Sequence, residues 1–345
     1  MELGERKLQI LQAIIDDYIV SAEPVGSRTI SKKYGIGLSS ATIRNEMADL
    51  EDMGYLEQPH TSSGRIPSDK GYRLYVDHLM KTKVLTITEA NHIKDLYEKK
   101  TRQIEQVIFQ TSRILSDITN YTAIVSGPKL SLVRVKHIQL VPIDNHFALL
   151  VVVTNTGIIK DTIVEIPEGI TGEYLYRISN MLNDIFKDKS LGNLSLETVL
   201  KMKEGMVQDR VFFNSLVDAL TKSVSIKDSG QVYLGGATNI FNFPEYHDIL
   251  KAKEFLDLME QKDLLYKLLI RPQDEGVSIV IGEENQYEEL REYSIVTATY
   301  NIGGGIFGTL GIIGPTRMEY SKTVPIMDFM SCALSTYLKD LFTEE

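Results

Sequence analysis

The chain reads as a multidomain α+β protein, with a compact helical unit first and strand-rich sequence after it. Three observations predict this. Residues 5–53 show helical periodicity interrupted by Gly and Ser at turn positions. Residues 132–166 and 276–314 contain apolar or alternating runs of strand length, bounded by Gly, Pro and Asn. With 345 residues, the chain is long enough for two or three domains that each bury a core.

In the first unit, Leu8, Leu11, Ile15 and Ile19 form one stripe and predict a long helix over 5–21. Ser27 is placed to cap a short helix over 28–34, which Gly35 ends. Ile36-Gly37-Leu38 is a tight turn with one apolar anchor, and Ser39 or Ser40 caps a second helix that Gly54 stops just after Met53. Residues 55–58 are a strand candidate, and 59–64 have the chemistry of a hairpin turn. That order predicts a winged helix-turn-helix over residues 1–83.

At about 100° per residue, Ile43, Met47 and Leu50 line the inward side of the second helix, while Ala41, Thr42, Arg44, Asn45 and Ala48 point away. The outward side suits a DNA major groove. Arginine pairs bidentately with guanine, asparagine with adenine, and small apolar groups meet the thymine methyl. Residues 24–45 hold Arg28, Lys32, Lys33 and Arg44 without one Asp or Glu, although the chain carries a net charge of −10. Residues 59–73 add His60, Arg65, Lys70 and Arg73 against Asp69 alone. Winged helices also serve as protein-binding modules, but a merely solvated face would mix its signs. Basic islands in an acidic chain indicate an anionic partner. The candidate DNA-binding set is therefore Arg28, Lys32, Lys33, Ser39, Ser40, Ala41, Thr42, Arg44, Asn45, His60, Thr61, Arg65, Lys70 and Arg73. Residues 1–83 are nearly neutral at −1 and the remainder carries −9, so these cations act locally while the rest of the protein repels a duplex.

The run SSATIRNEMADLEDMGYLEQPHTSSGRIPSDKGYRLYVD resembles the start of the HrcA family of bacterial heat-inducible transcription repressors. IIGPTRMEYSK at 312–322 is similar to that family's ending, and VYLGGATNIFNFPEY at 232–246 to its middle. The resemblance is end to end, densest at the N-terminus and at these two motifs. Where the family often reads HTSAGRIPT, this chain has Ser63 and Ser68, small changes at a wing and a cap. The resemblance implies a cytoplasmic homodimer that binds double-stranded DNA at an inverted-repeat operator upstream of chaperone operons. It also implies that the GroEL chaperonin keeps the repressor active, so that heat, by occupying the chaperonin with unfolded protein, releases the genes.

Beyond residue 83, a polar linker precedes a long connecting helix over 89–120, whose heptad register fails around 99–102. Strands over 132–142, 146–155 and 157–166 form a meander, followed by a helix over 171–186. Strands over 276–282, 294–302 and 308–314 precede a terminal helix over 324–341, an ending similar to that of a GAF-like sensory domain. The domain assignment is 84–120 connecting helix, 121–190 with 273–345 as the GAF-like α/β domain, and 191–272 as an inserted dimerisation segment.

Other chemistry is thin. Gly303-Gly304-Gly305 lacks the Walker lysine and GxGxxG spacing and reads as a hairpin turn. The 6 histidines show no HxH, HxxxH or HExxH pattern, so no metal or other cofactor is expected. No nucleophile elbow or paired-carboxylate signature supports an enzyme. The single cysteine, Cys332, suits a reducing cytosol and is expected in the core of the terminal helix. No run of about 18 apolar residues predicts a membrane span, and MELGERKLQI lacks a signal-peptide apolar segment. Thr316-Arg317 is placed either to meet a carboxylate or a partner, or to tie a hairpin to the terminal helix. The alternative functional reading is a small-molecule-responsive regulator acting through the GAF-like domain, which an apolar pocket would favour and a filled core would oppose.

Overall fold

A computed structural model describes residues 3–60, 63–98, 104–128, 134–154, 159–186, 189, 210–224, 232–269, 276–303 and 306–343. Helix α1 (Glu5–Ser21) buries Ile10, Leu11, Ile14 and Ile15, and ends with Ala22 in the left-handed region. Helix α2 (Ser27–Lys33) starts one residue earlier than the sequence suggests. Gly26 is its cap, and Ser27 makes no capping bond. Helix α3 (Ser40–Asp52) is capped by Ser39, whose oxygen accepts from the Thr42 N–H at 3.1 Å. It stops before Gly54, whose φ of +77° only glycine adopts without strain. Strands β1 (Leu56–Glu57) and β2 (Ile66–Pro67) pair antiparallel, and a bridge from Val25 to Arg65 ties this hairpin to the segment before α2. Ser68 caps α4 (Asp69–Leu74), which continues as a wider turn over Tyr75–Leu79.

Helices α5 (Ile87–Glu98) and α6 (Ile104–Thr119) cover most of the expected connecting helix, flanking residues 99–103, which lie outside the described set. Two separate sheets follow. Strands β3 (Thr122–Ser126), β7 (Val232–Gly235), β8 (Val277–Ile281), β9 (Tyr293–Gly303) and β10 (Ile306–Pro315) form a five-stranded antiparallel sheet in the order β7-β3-β10-β9-β8. One face packs on α6 and the terminal helix α11 (Tyr320–Thr343), through Val296, Tyr300, Leu310 and Ile312. The other face, with Ile124, Ile295 and Ile313, packs under 3-10 turns at 237–246 and helices α9 (Ile249–Glu260) and α10 (Lys262–Leu269).

Strands β4 (Val135–Pro142), β5 (Phe147–Thr154) and β6 (Ile159–Glu165) form the second sheet, in sequence order. Helices α7 (Gly172–Phe186) and α8 (Arg210–Val224) pack against β4 and β6. The free edge of β4 is closed by side chains of α7. Asn183 accepts from the Ile138 N–H at 2.7 Å and donates to its carbonyl at 2.8 Å, and Ser179 accepts from the Leu140 N–H at 2.9 Å.

This partition corrects the expected one. The excursion from the five-stranded sheet lies between β3 and β7, over residues 134–224, whereas 232–269 belongs to the sheet unit. The physical reason is the pairing of β3 with β7: the buried TAIVS run sits centrally between β7 and β10. The meander expected within the GAF-like domain is therefore a sheet of its own. Residues 191–209, 225–231 and 270–275 of the expected insertion lie outside the described residues, as does the hairpin tip at 304 and 305. Cys332 is also a correction: it is exposed, because Met330, Leu334 and Leu338 take the inward positions of α11.

A seam joins the N-terminal unit to the five-stranded sheet. Arg73 donates to both oxygens of Glu284, at 2.7 and 2.5 Å, and to the Ile279 carbonyl at 2.7 Å. The Asp69 carboxylate accepts from the Glu283 N–H at 2.8 Å. It lies against Gly282, whose φ is +50° and where any side chain would collide with that carboxylate. Arg317 reaches across to the Ile19 carbonyl, Tyr72 packs against Tyr320, and Lys83 pairs with Glu319.

Candidate nucleic-acid interface

Helix α3 presents the two faces its periodicity predicts. Ile43, Met47 and Leu50 are buried, while Ala41, Arg44, Asn45 and Ala48 are exposed. Ser39 and Thr42 share a hydroxyl bond at 2.9 Å, which fixes the leading turn, and no acidic residue lies in that turn. The first N–H groups of α3 therefore face solvent with a positive helix end and no competing carboxylate. Arg44 and Asn45 on α3, and Arg28 and Lys32 on α2, are exposed and have no hydrogen bond or ion pair to the described residues.

Three of the four acidic residues later in α3, Glu46, Asp49 and Glu51, are paired with cations, while Asp52 is exposed with no ion pair among the described residues. Lys7 donates to Glu46 and Asp49 at 2.5 and 2.7 Å, and Arg6 approaches Glu46 at 3.5 Å. The hydrogen bonds it donates to Asp49 and then Glu46 hold the Lys7 ammonium above its ordinary pKa. Arg65 pairs with Glu51 through Nε at 2.8 Å and Nη2 at 2.7 Å. Sequence reasoning did not assign the Lys7 and Arg6 pairs. Their only signal is that α1 carries cations at its start, opposite the acids of α3.

The cations expected to face DNA divide into two groups. Arg65 and Arg73 are engaged within the protein: Arg65 braces the β1–β2 hairpin on α3, and Arg73 forms the seam with Glu284. Both are held by carboxylates that the chain pattern does not place nearby. Lys33 and Lys70 stay exposed but have partners inside the unit. Lys33 donates to Asp17 at 2.5 Å, with the Tyr34 hydroxyl on the same oxygen at 3.2 Å. Burial, aided by Asp17, pushes the Tyr34 hydroxyl up to about 12. Lys70 donates to the Met53 carbonyl at 2.8 Å and lies over the Tyr55 ring at 4.3 Å, so it closes the C-terminal end of α3. Ser40 is half-buried at the start of α3. His60 is exposed at the hairpin tip, where the Ser63 hydroxyl donates to its carbonyl at 2.6 Å, and Thr61 lies outside the described residues.

A helix end without acids lies beside a short helix with two cations unpaired among the described residues, and beside the β1–β2 hairpin. The chain is 46% identical over 339 residues to the heat-inducible transcription repressor HrcA of Alkaliphilus metalliredigens, covering 98% of this chain and 99% of that protein. It is 45% identical over 340 residues to the same repressor of Pelotomaculum thermopropionicum, covering 98% of each. The family model for the HrcA protein C-terminal domain matches residues 105–324. The chain belongs to the HrcA family of heat-inducible transcription repressors. The family model spans both sheets, and the full-length relatives extend the match over α2 and α3. A solved structure described as a hypothetical protein superposes with a TM-score of 0.64 at 22% identity, over 99% of this chain and 100% of that one, a likeness of fold. Among the described residues, no helix is long and apolar enough to cross a membrane.

Proposed function

We propose that this protein is a dimeric, sequence-specific repressor of chaperone operons that reads an inverted-repeat operator through an N-terminal winged helix-turn-helix. The observation that carries this reading is the solvent side of α2 and α3. There Arg28, Lys32, Arg44 and Asn45 stand exposed and without a partner among the described residues, beside the small Ala41 and Ala48. Unpaired cations on a chain of net charge −10 are the ones available to phosphates and base edges. Helix α3 enters the major groove with its capped end leading, Arg44 and Asn45 read bases, and Ser39, Ser40, Thr42, Arg28 and Lys32 lie along the phosphates. The hairpin carrying His60 and Thr61 follows the adjacent backbone.

Dimerisation is supported by the outer face of the three-stranded sheet. Val141, Phe147, Ile159 and Ile163 are exposed there, and the pairing of Leu149 with Val141 and Ile163 makes the patch continuous across the strands. An apolar sheet face of this kind gains by covering itself with a second copy. The resemblance to relatives named heat-inducible repressors supports chaperone genes as targets, the cytoplasm as location and GroEL as the factor that maintains active repressor. The small-molecule reading is not favoured. The helix-facing side of the five-stranded sheet is filled by Val296, Tyr300, Leu310 and Ile312, all with 0% exposure.

Fluorescence anisotropy on an inverted-repeat duplex, with a half-site-scrambled duplex as control and GroEL titrated in parallel, tests the proposal. Tight binding to the intact repeat alone, raised by chaperonin, is expected. Equal affinity for both duplexes would remove the sequence-specific reading, and no response to chaperonin would remove the regulatory one.

A further inference from the structure

Two sequence segments that the DNA-binding surface does not use meet at one point. FNFPEY supplies Phe243 and Glu245 from the turns over β3, and GPTRM supplies Arg317 from the loop after β10. Arg317 grips Glu245 with two guanidinium nitrogens, Nε and Nη2, and lies over the Phe243 ring at 5.5 Å. Its third nitrogen, Nη1, donates to the Ile19 carbonyl at 2.9 Å. Ile19 lies in the last turn of α1, and α1 packs directly on α3. The Arg317 side chain is only 9% exposed. Phe243 is in turn stacked on Tyr121 at 5.3 Å and 7°, which fixes the platform beneath the guanidinium.

We propose that Arg317 is a positioning residue for operator binding: by joining the sheet domain to the end of α1, it sets the orientation of each reading head and so the half-site spacing the dimer accepts. The inference rests on the DNA-binding reading above, but its physical core does not. A planar donor that holds a carboxylate and a helix-terminal carbonyl together cannot be replaced by a point charge, because lysine serves only one of them with good geometry. The seam's other bonds, at Asp69, Arg73 and Lys83, start from α4 and the residues after it, so among the described residues Arg317 makes the hydrogen bond that reaches α1. A head free to swing still binds one half-site. It loses the second-site advantage, which depends on geometry matched to the repeat.

The test uses the full-length protein with spin labels at Thr29→Cys, on the exposed side of α2, and at the native exposed Cys332, diluted with unlabelled protein so that one protomer is read. The parent protein is expected to give one narrow distance distribution. Arg317→Gln and Arg317→Lys are expected to broaden it, and Glu245→Gln to broaden it less. On DNA, Arg317→Gln is expected to lose about tenfold or more in affinity on the intact repeat and less than about twofold on a single half-site, and to tolerate an inserted base pair that the parent rejects. An unchanged distance distribution in both Arg317 variants overturns the proposal, as does an equal loss on half-site and full site. If the parent binds neither duplex, the DNA-binding reading fails, and the distance measurement still judges the joint. Should Arg317→Gln not fold, Arg317→Lys and Glu245→Gln carry the same comparison.

Discussion

Arg73 separates two physical roles that its position in the sequence leaves indistinguishable. As a DNA contact it would act through a phosphate; in the structure it binds Glu284 bidentately and caps the Ile279 carbonyl. The side chains of this pair are 30% and 36% exposed, between the exposed and buried limits. Exposed pairs contribute about 0.2–1 kcal/mol, and breaking a buried pair costs about 3–5 kcal/mol. Two parallel charged hydrogen bonds place this pair above the exposed limit, so a coupling energy of about 1–2 kcal/mol is expected. The perturbation is a double-mutant cycle of Arg73→Ala, Glu284→Ala and both together. The assay is urea unfolding of each protein followed by circular dichroism. The Arg73→Ala variant is also titrated with operator DNA over a salt series. Stability should fall with the stated coupling, and the salt slope should stay at the parent value. A coupling below about 0.3 kcal/mol, or a slope reduced by about 1 per head, would refute the seam assignment and restore Arg73 to the DNA face.

Arg44→Ala should leave stability unchanged, because the side chain has no partner among the described residues, yet weaken operator binding by about 1–3 kcal/mol and relax preference at one base pair per half-site. Anisotropy on a set of single-substitution operators measures it. Lys32→Ala should weaken all duplexes alike and lower the salt slope, and a sequence-selective loss would count against its phosphate role. Gly282→Ala should open the seam next to Asp69, seen as faster amide exchange in β8, since its φ of +50° and the adjoining carboxylate both oppose a side chain. Burial opposes the charged form of Glu284, but the Arg73 guanidinium and the Ile281 N–H outweigh it and hold the carboxyl below its ordinary range. Its folded pKa is therefore below the unfolded one, and its stabilisation is fully present above the unfolded value of about 4.3 and lost as pH falls through the folded value. The Arg73–Glu284 coupling should thus be constant from about pH 6 to 8 and shrink below about pH 4, and constancy down to pH 3 would contradict the ionic assignment.

The sequence alone determined the elements whose cause is local. A serine at 39 or 40 caps α3, Gly54 ends it, Ile43, Met47 and Leu50 face inward, and the meander strands and terminal helix all follow from periodicity and turn chemistry within a few residues. The acid-free leading turn of α3 and the exposed cations of α2 were legible for the same reason. Only the tertiary structure decided which cations are left over for a partner. Arg44 and Arg73 look alike in the chain, and Glu284, 211 residues from Arg73, distinguishes them. The limits of the excursion were also hidden. They depend on the five-residue β3 pairing with β7 across more than a hundred residues, and so short a buried run carries no period by which to place it. Cys332 was misplaced because an apolar helix tells which residue types it contains, whereas the packed sheet beneath it decides which of them turn inward.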